Sequence, residues 1–122
     1  MSKALTFIPL KVHSAFSLAE GMLHIESIID LCEMHNIPAV GLTDSGNLFG
    51  AYQFSQKAIK KGLQPILGCI LPILKPEKNL QVSQQRHAFP MTFYAKNEEG
   101  YRNLVKLSSH YYREIACHHL TF

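Results

Sequence analysis

The 122-residue chain has no tryptophan, only three cysteines and little net charge. Cys32, Cys69 and Cys117 are odd in number, widely spaced and without a C-x-x-C pair. This argues against a disulfide framework and a cysteine-rich zinc module, and leaves the thiols as small hydrophobes in a reducing compartment. The charge of +3, from 12 Lys and Arg against 9 Asp and Glu, is too slight to mark a nucleic-acid-binding domain, which carries a clustered basic patch. The nearest cluster, Lys57, Lys60 and Lys61, reads as the solvated face of a helix. No apolar run approaches the ~20 residues that cross a bilayer. The first residues, MSKALTFIPLKVH, lack the apolar stretch and small-residue cleavage site of a secretion signal. A cytoplasmic protein with no membrane partner is therefore expected. Repeats, low-complexity tracts and flexible linkers are also missing, so residues 1–122 read as one domain or part of one.

What is present is an ordinary globular composition, 47% hydrophobic and 17% charged, with strands and helices in alternation. Residues 5–12 read as a first strand. Residues 24–36 read as a helix, with Ile25, Ile28, Ile29 and Cys32 at helical spacing, stopped ahead of Pro38. Residues 39–42 form a short apolar run, as in a strand buried on both faces. The turn-rich TDSGN follows, with Asn47 predicted to cap a second helix reaching Lys61. Its buried stripe would be Leu48, Ala51, Phe54 or Ser55, Ala58 and Ile59. Gly62 stands where a left-handed helix stop is needed. Residues 65–71 read as a third strand, 74–86 as a loop and 89–95 as a fourth strand. Asn97 then caps a third helix containing Tyr101, Leu104, Val105 and Ser108. Strands separated by helices predict an α/β fold of about four mostly parallel strands. Four strands are too few to close a barrel and would leave unpaired edges, so self-association is expected.

In such folds ligands sit at the carboxyl ends of strands. Three segments fall there. VHSAFSLAEG offers His13, Ser14, Ser17 and Glu20; TDSGN offers Thr43, Asp44 and Ser45; the third strand offers Cys69. His13, Glu20 and Asp44 would converge at one rim. An imidazole with two carboxylates suits a divalent metal, but the same residues also serve as polar loop groups that cap helices and satisfy turn amides. Ser14 and Ser17 beside His13 suggest a nucleophile pair, without an oxyanion motif or third partner. His110, Glu114, Cys117 and His118 lie at helical spacings and match zinc ligands by type. A terminal helix with a polar face has the same pattern.

Four ordered motifs carry a family resemblance. They are VHSAFSLAEG, PAVGLTDSGNLFG, GLQPILGC and AKNEEGYRNL. Together they resemble the start of the polymerase and histidinol phosphatase (PHP) domain at the N-terminus of bacterial replicative DNA polymerase III alpha subunits. The resemblance spans most of the chain and implies a partial PHP-type β/α barrel, residues 1–122 ending before closure. The metal pattern it implies is only partly present. The first histidine of H-x-H is Lys11 and the second is His13. Glu20 stands for the more usual aspartate, and Asp44 matches the aspartate of T-D-H. Ser45 replaces the histidine of that motif, Ile70 replaces the acidic residue of the third strand, and Pro90 falls where the fourth strand would begin with histidine; His87 lies close by without aligning there.

These substitutions imply a pocket at His13, Glu20 and Asp44 without resident zinc or manganese, since multi-metal phosphoester hydrolysis needs a full ligand set. Lys11 would pair with Glu20 or Asp44 in place of a cation. The resemblance further implies that the complete protein is a DNA-directed DNA polymerase using Mg2+, with catalytic carboxylates beyond this chain. The segment itself would be a scaffold, joined to the rest of the alpha subunit and docking the epsilon proofreading exonuclease in some members; DNA would be met by the full-length protein. The rival readings are an active metal-dependent PHP phosphoesterase and a free-standing interaction module.

Overall fold

The computed structural model describes residues 7–74 and 88–119, with side-chain surroundings for 7–73 and 88–114. Within them lie three helices and three strands: α1 (Ile25–Met34), β1 (Ala39–Ser45), α2 (Ala51–Lys60), β2 (Gln64–Leu74), β3 (Ala88–Tyr94) and α3 (Glu98–His119). Ile25, Ile28, Ile29 and Cys32 face inward from α1, Phe54 and Ala58 from α2, and Val40 and Leu42 from β1. Leu63 completes this core, with Val12, Ile37 and Leu67 packed against it. At about 25 cal/mol per Å² of apolar surface, this sandwich of two helices on the sheet is the main source of stability.

Both inner helices end in the same way. Asn36 (φ 52°) and Gly62 (φ 74°) take the left-handed conformation. The next residues, Ile37 and Leu63, donate their N–H back to Cys32 and Ala58 at 2.9 Å. This is the six-to-one bond of a Schellman stop, accompanied by a hydrophobic residue that enters the core. Each stop turns the chain directly into the next strand. At α3 the predicted cap is present: Asn97 Oδ1 accepts the Gly100 N–H at 2.9 Å.

The sheet order is β1-β2-β3. β1 and β2 pair in parallel, with Ser45 opposite Ile70, but β2 and β3 pair antiparallel, with Ile70 opposite Thr92 and Pro72 opposite Pro90. This corrects the expectation of about four mostly parallel strands: among the described residues there are three, in a mixed sheet. A parallel return needs a long crossover, usually a helix packed on the sheet, and the sequence between β2 and β3 has no helical period. The predicted loop there lies, from residue 75 onward, outside the described residues. The predicted first strand falls partly in residues 1–6, also outside them. Its remainder makes one parallel bridge, Val12 to Leu42, supported by Gly41 N–H to Pro9 O at 2.8 Å and Thr43 N–H to Val12 O at 2.9 Å. Pro9 has no N–H to extend that ladder.

Two details of α2 also differ from expectation. Gly50, not Asn47, precedes the helix. Ile59 is 62% exposed rather than core, because Leu63, brought back by the Gly62 stop, takes the inward place beyond Ala58. Lys57 and Lys61 pair across to Glu26 and Glu33 of α1, as a solvated helix face does.

Candidate functional site

The antiparallel direction of β3 places its start at the rim formed by the carboxyl ends of β1 and β2. Ser45, Ile70, Pro72 and Pro90 consequently lie close together along one edge of the fold. The loop of residues 13–21 folds over this rim. Its curvature comes from local bonds: Ser17 N–H to Ser14 O at 2.9 Å, Glu20 N–H to Ser17 O at 3.0 Å and Gly21 N–H to Ser17 O at 2.9 Å. Ala19 adopts φ 64°. At Gly21 a Cβ would stand 2.1 Å from the Ser14 carbonyl oxygen, so only glycine allows the loop to close on itself.

Asp44 is at the centre, 2% exposed. Its Oδ1 accepts the Ser14 N–H and the Ser17 hydroxyl, each at 2.7 Å, and its Oδ2 accepts the Ser14 hydroxyl at 2.7 Å. Ser14 and Ser17 are fully buried. A buried carboxylate is tolerable only when its charge is met by donors of this kind. The two serines are therefore not exposed nucleophiles; their hydroxyl hydrogens are committed to Asp44.

Ser17 links this centre to the outer groups. Its oxygen lies 3.1 Å from the Ser45 N–H, which donates to it, and 3.2 Å from His13 Nδ1. Since the Ser17 hydrogen goes to Asp44, the hydrogen in the His13 contact must come from the ring. Hydrogen-bond accounting thus assigns the Nδ1–H form to His13. The same nitrogen lies 3.7 Å from Glu20 Oε2, and that carboxylate accepts the Ser45 hydroxyl at 2.5 Å. The chain of contacts runs Glu20–His13–Ser17–Asp44, with Ser45 joined to both Glu20 and Ser17.

Lys11 is exposed, and the ion pairs among the described residues do not include it. The expected Lys11 salt bridge to Glu20 or Asp44 is replaced by hydroxyl contacts. The physical reason is burial: a lysine reaching Asp44 would have to strip its ammonium of water, whereas serine hydroxyls already line the carboxylate. Thr43 is buried in β1, with its hydroxyl 3.4 Å from the Val12 carbonyl. Ile70 is 8% exposed, its carbonyl accepting the Gly46 N–H at 2.8 Å, and Pro90 is exposed on β3.

Cys69 sits opposite Asp44 in the β1–β2 register. Burial, and then the negative charge of Asp44, push its thiol up to about 11, so it is a protonated, inert group. His110 and Glu114 approach to 3.9 Å on the exposed side of α3; the side chains of Cys117 and His118, and all of His87, lie outside the described residues. Asn47, assigned by sequence to a helix cap, instead ties the two rim loops together. Its Nδ2 donates to the carbonyls of Phe16 at 2.9 Å and Ser45 at 3.1 Å, and its Oδ1 accepts the Phe49 N–H at 3.1 Å. The holding role of Ser14 and Ser17 was also missed. Its only sequence signal is two hydroxyls three residues apart directly after a strand.

Both oxygens of Asp44 are occupied by hydrogen-bond donors, and His13 Nδ1 carries a hydrogen, leaving Nε2 as its remaining lone pair. Among the described residues no three His, Cys, Asp or Glu side chains are grouped as an ion requires.

The family model of the PHP domain matches residues 9–120, and the chain belongs to that family. At the level of individual proteins, it is 42% identical over 120 residues to the DNA polymerase III subunit alpha of Rickettsia prowazekii, covering 95% of this chain and 9% of that protein. It is 40% identical over 116 residues to the subunit of the same name from Borreliella burgdorferi, covering 93% and 10%. The Chlamydia pneumoniae subunit is 40% identical over 108 residues, covering 86% and 9%. The chain spans about a tenth of the length of the curated relatives it matches. No helix among the described residues is long and apolar enough to cross a membrane.

Proposed function

We propose that this chain is the amino-terminal part of the PHP domain of a replicative DNA polymerase alpha subunit, acting as a scaffold rather than as a phosphoesterase. The complete protein would be a DNA-directed DNA polymerase, with its Mg2+-binding carboxylates outside residues 1–122. The likeness to subunits of that name over 86–95% of the chain supports the polymerase assignment. The observation that carries the scaffold reading is the closure of Asp44 by three donors at 2.7 Å, two of them serine hydroxyls. Such a carboxylate locks two loops together without a cation. Lys11, Ser45, Ile70 and Pro90, at positions where the PHP pattern has ligands, favour the same reading.

In this role the segment would join the rest of the alpha subunit and offer a surface to partners such as the epsilon proofreading exonuclease. In isolation it is expected to self-associate, because the outer edge of β3 is unpaired among the described residues and Phe89 and Met91 stand 56% and 49% exposed on it. Sedimentation across a concentration series tests this, and a monomer at every concentration would refute it. The scaffold reading is tested by calorimetric titration with zinc and manganese, alongside hydrolysis of a generic phosphoester in manganese. The expected result is neither tight binding nor turnover. Tight, stoichiometric binding at the rim would overturn the reading and favour a working phosphoesterase.

A further inference from the structure

α3 is the most lightly anchored of the three helices. It lies across β2 and β3 and, within the described residues, makes little contact with α1 or α2. Its inward residues, Tyr101, Leu104, Ser108 and Tyr111, recur at helical spacing. Within residues 98–114 only Leu104 and Ser108 of these are buried, and Ser108 is polar. An element with so little buried apolar surface opens before the fold as a whole does.

The second half of that inward stripe rests on the rim. Gly46, directly after Ser45, has φ 73°, and a Cβ there would stand 3.0 Å from the Tyr111 ring. The Ser108 hydroxyl lies 3.4 Å from the Gly46 carbonyl oxygen. Phe49 stacks on Tyr112 with ring centroids 6.3 Å apart. The segment that α3 covers, residues 46–49, is tied to the rim from its other side. Asn47 Nδ2 donates to the Phe16 and Ser45 carbonyls, and the Ser45 N–H donates to the Ser17 oxygen. A continuous path therefore runs Tyr111–Gly46–Ser45–Ser17–Asp44. A path of contacts carries coupling only when it includes an element with two arrangements. α3, seated or lifted, is that element.

We propose that α3 is a clasp on the rim. Seated, it presses residues 46–49 into place and keeps residues 13–21 closed on Asp44. Lifted, it frees residues 46–49 and with them the bonds from Ser45 and Asn47 to the loop. The coupling is reciprocal, as linkage between two equilibria requires: whatever pins α3 tightens the rim, and whatever loosens the rim weakens the seat of α3. The clasp goes beyond the scaffold reading and does not depend on it. Tight metal binding would overturn that reading and leave the clasp in place, and an uncoupled α3 would leave the scaffold reading untouched.

The test is amide hydrogen exchange, followed by NMR in the 122-residue chain. The rim reporters are the Ser14 and Ser45 amides, donated to Asp44 and Ser17. Tyr111→Ala should speed both by about tenfold or more, a modest share of what a lost aromatic ring can cost. Tyr111→Phe keeps the ring and should change neither. Tyr101→Ala separates a clasp from local packing. Tyr101 is half-buried near Leu67 and Ala95, about 15 Å back along the helix from Tyr111, yet its loss should speed the same two amides severalfold by loosening α3 as a unit. In the reverse direction, Ser17→Ala should speed exchange of the Ser108 and Tyr111 amides. Phe54→Leu weakens the apolar layer alone and should leave all four amides unchanged. Unmoved rim amides in Tyr111→Ala, a response to Tyr111→Ala but not to Tyr101→Ala, α3 amides indifferent to Ser17→Ala, or an equal response of all four to Phe54→Leu would each overturn the proposal.

Discussion

Two buried regions of this chain sit side by side on β1 and are built on opposite terms. Under α1 and α2, Val40 and Leu42 meet Ile28, Ile29 and Phe54 in an apolar layer. A few residues along the same strand, Thr43 and Asp44 are as deeply buried, but among hydroxyls and amides. The apolar layer is held by surface removed from water, a force without direction. The polar layer is held by donors aimed at fixed lone pairs. The first should tolerate changes of shape and the second should not, even when shape is preserved.

The contrast is sharpest in Asp44→Asn, an almost isosteric change. It removes the charge and turns an amide N–H toward existing donors. Chemical denaturation should show a loss of about 3 kcal/mol, typical of breaking a buried charged network. Phe54→Leu, a larger change in shape, should cost only about 1–1.5 kcal/mol in the same experiment. Equal costs would erase the distinction. Ser17→Ala removes one donor from Asp44 and the acceptor of both His13 and the Ser45 N–H. A loss of about 1–2 kcal/mol is expected, and NMR should show the His13 ring freed from its Nδ1–H tautomer. An unmoved ring would detach His13 from the network.

A smaller effect concerns Cys69, opposite Asp44 on the neighbouring strand. Its thiol is held up at about 11 against an ordinary 9.0, by burial first and Asp44 second. A raised folded value gives stability that is complete below 9.0 and fades as pH climbs toward about 11, because the unfolded chain releases the proton first. Urea midpoints measured from pH 8 to 11 should fall across that window, and Cys69→Ala should flatten the fall. Smallest of all, Ala19→Gly should raise stability by about 0.5 kcal/mol, since alanine at φ 64° carries left-handed strain. A lower midpoint would mean that the methyl group packs usefully.

The apolar region was legible in the sequence because periodicity encodes it: the α1 stripe, the β1 run and the Gly62 stop occur in the structure where spacing placed them. Ile59 was misplaced because periodicity cannot anticipate that Leu63 folds back to take the inward position. The antiparallel β3 was hidden because its direction depends on how the chain returns from β2, a property no local pattern records. At the rim, the strand-end rule brought His13, Glu20 and Asp44 together, and the resemblance made them the remnant of a metal pattern. That Ser14 and Ser17 close the carboxylate was not legible, because a serine after a strand has the same appearance whether it faces solvent or a buried charge. Lys11 was paired by charge alone, a rule that ignores the cost of dehydrating its ammonium.

The bonds that Ser14 and Ser17 make to Asp44 join residues about thirty positions apart. They tie the segment ahead of α1 to the end of β1, so closure of residues 13–21 depends on α1 holding its two flanks together. The Ser14 amide hydrogen, donated to Asp44, becomes a clock for that step: the rate at which it exchanges with deuterium measures how often the loop lifts while the apolar layer beneath stays shut.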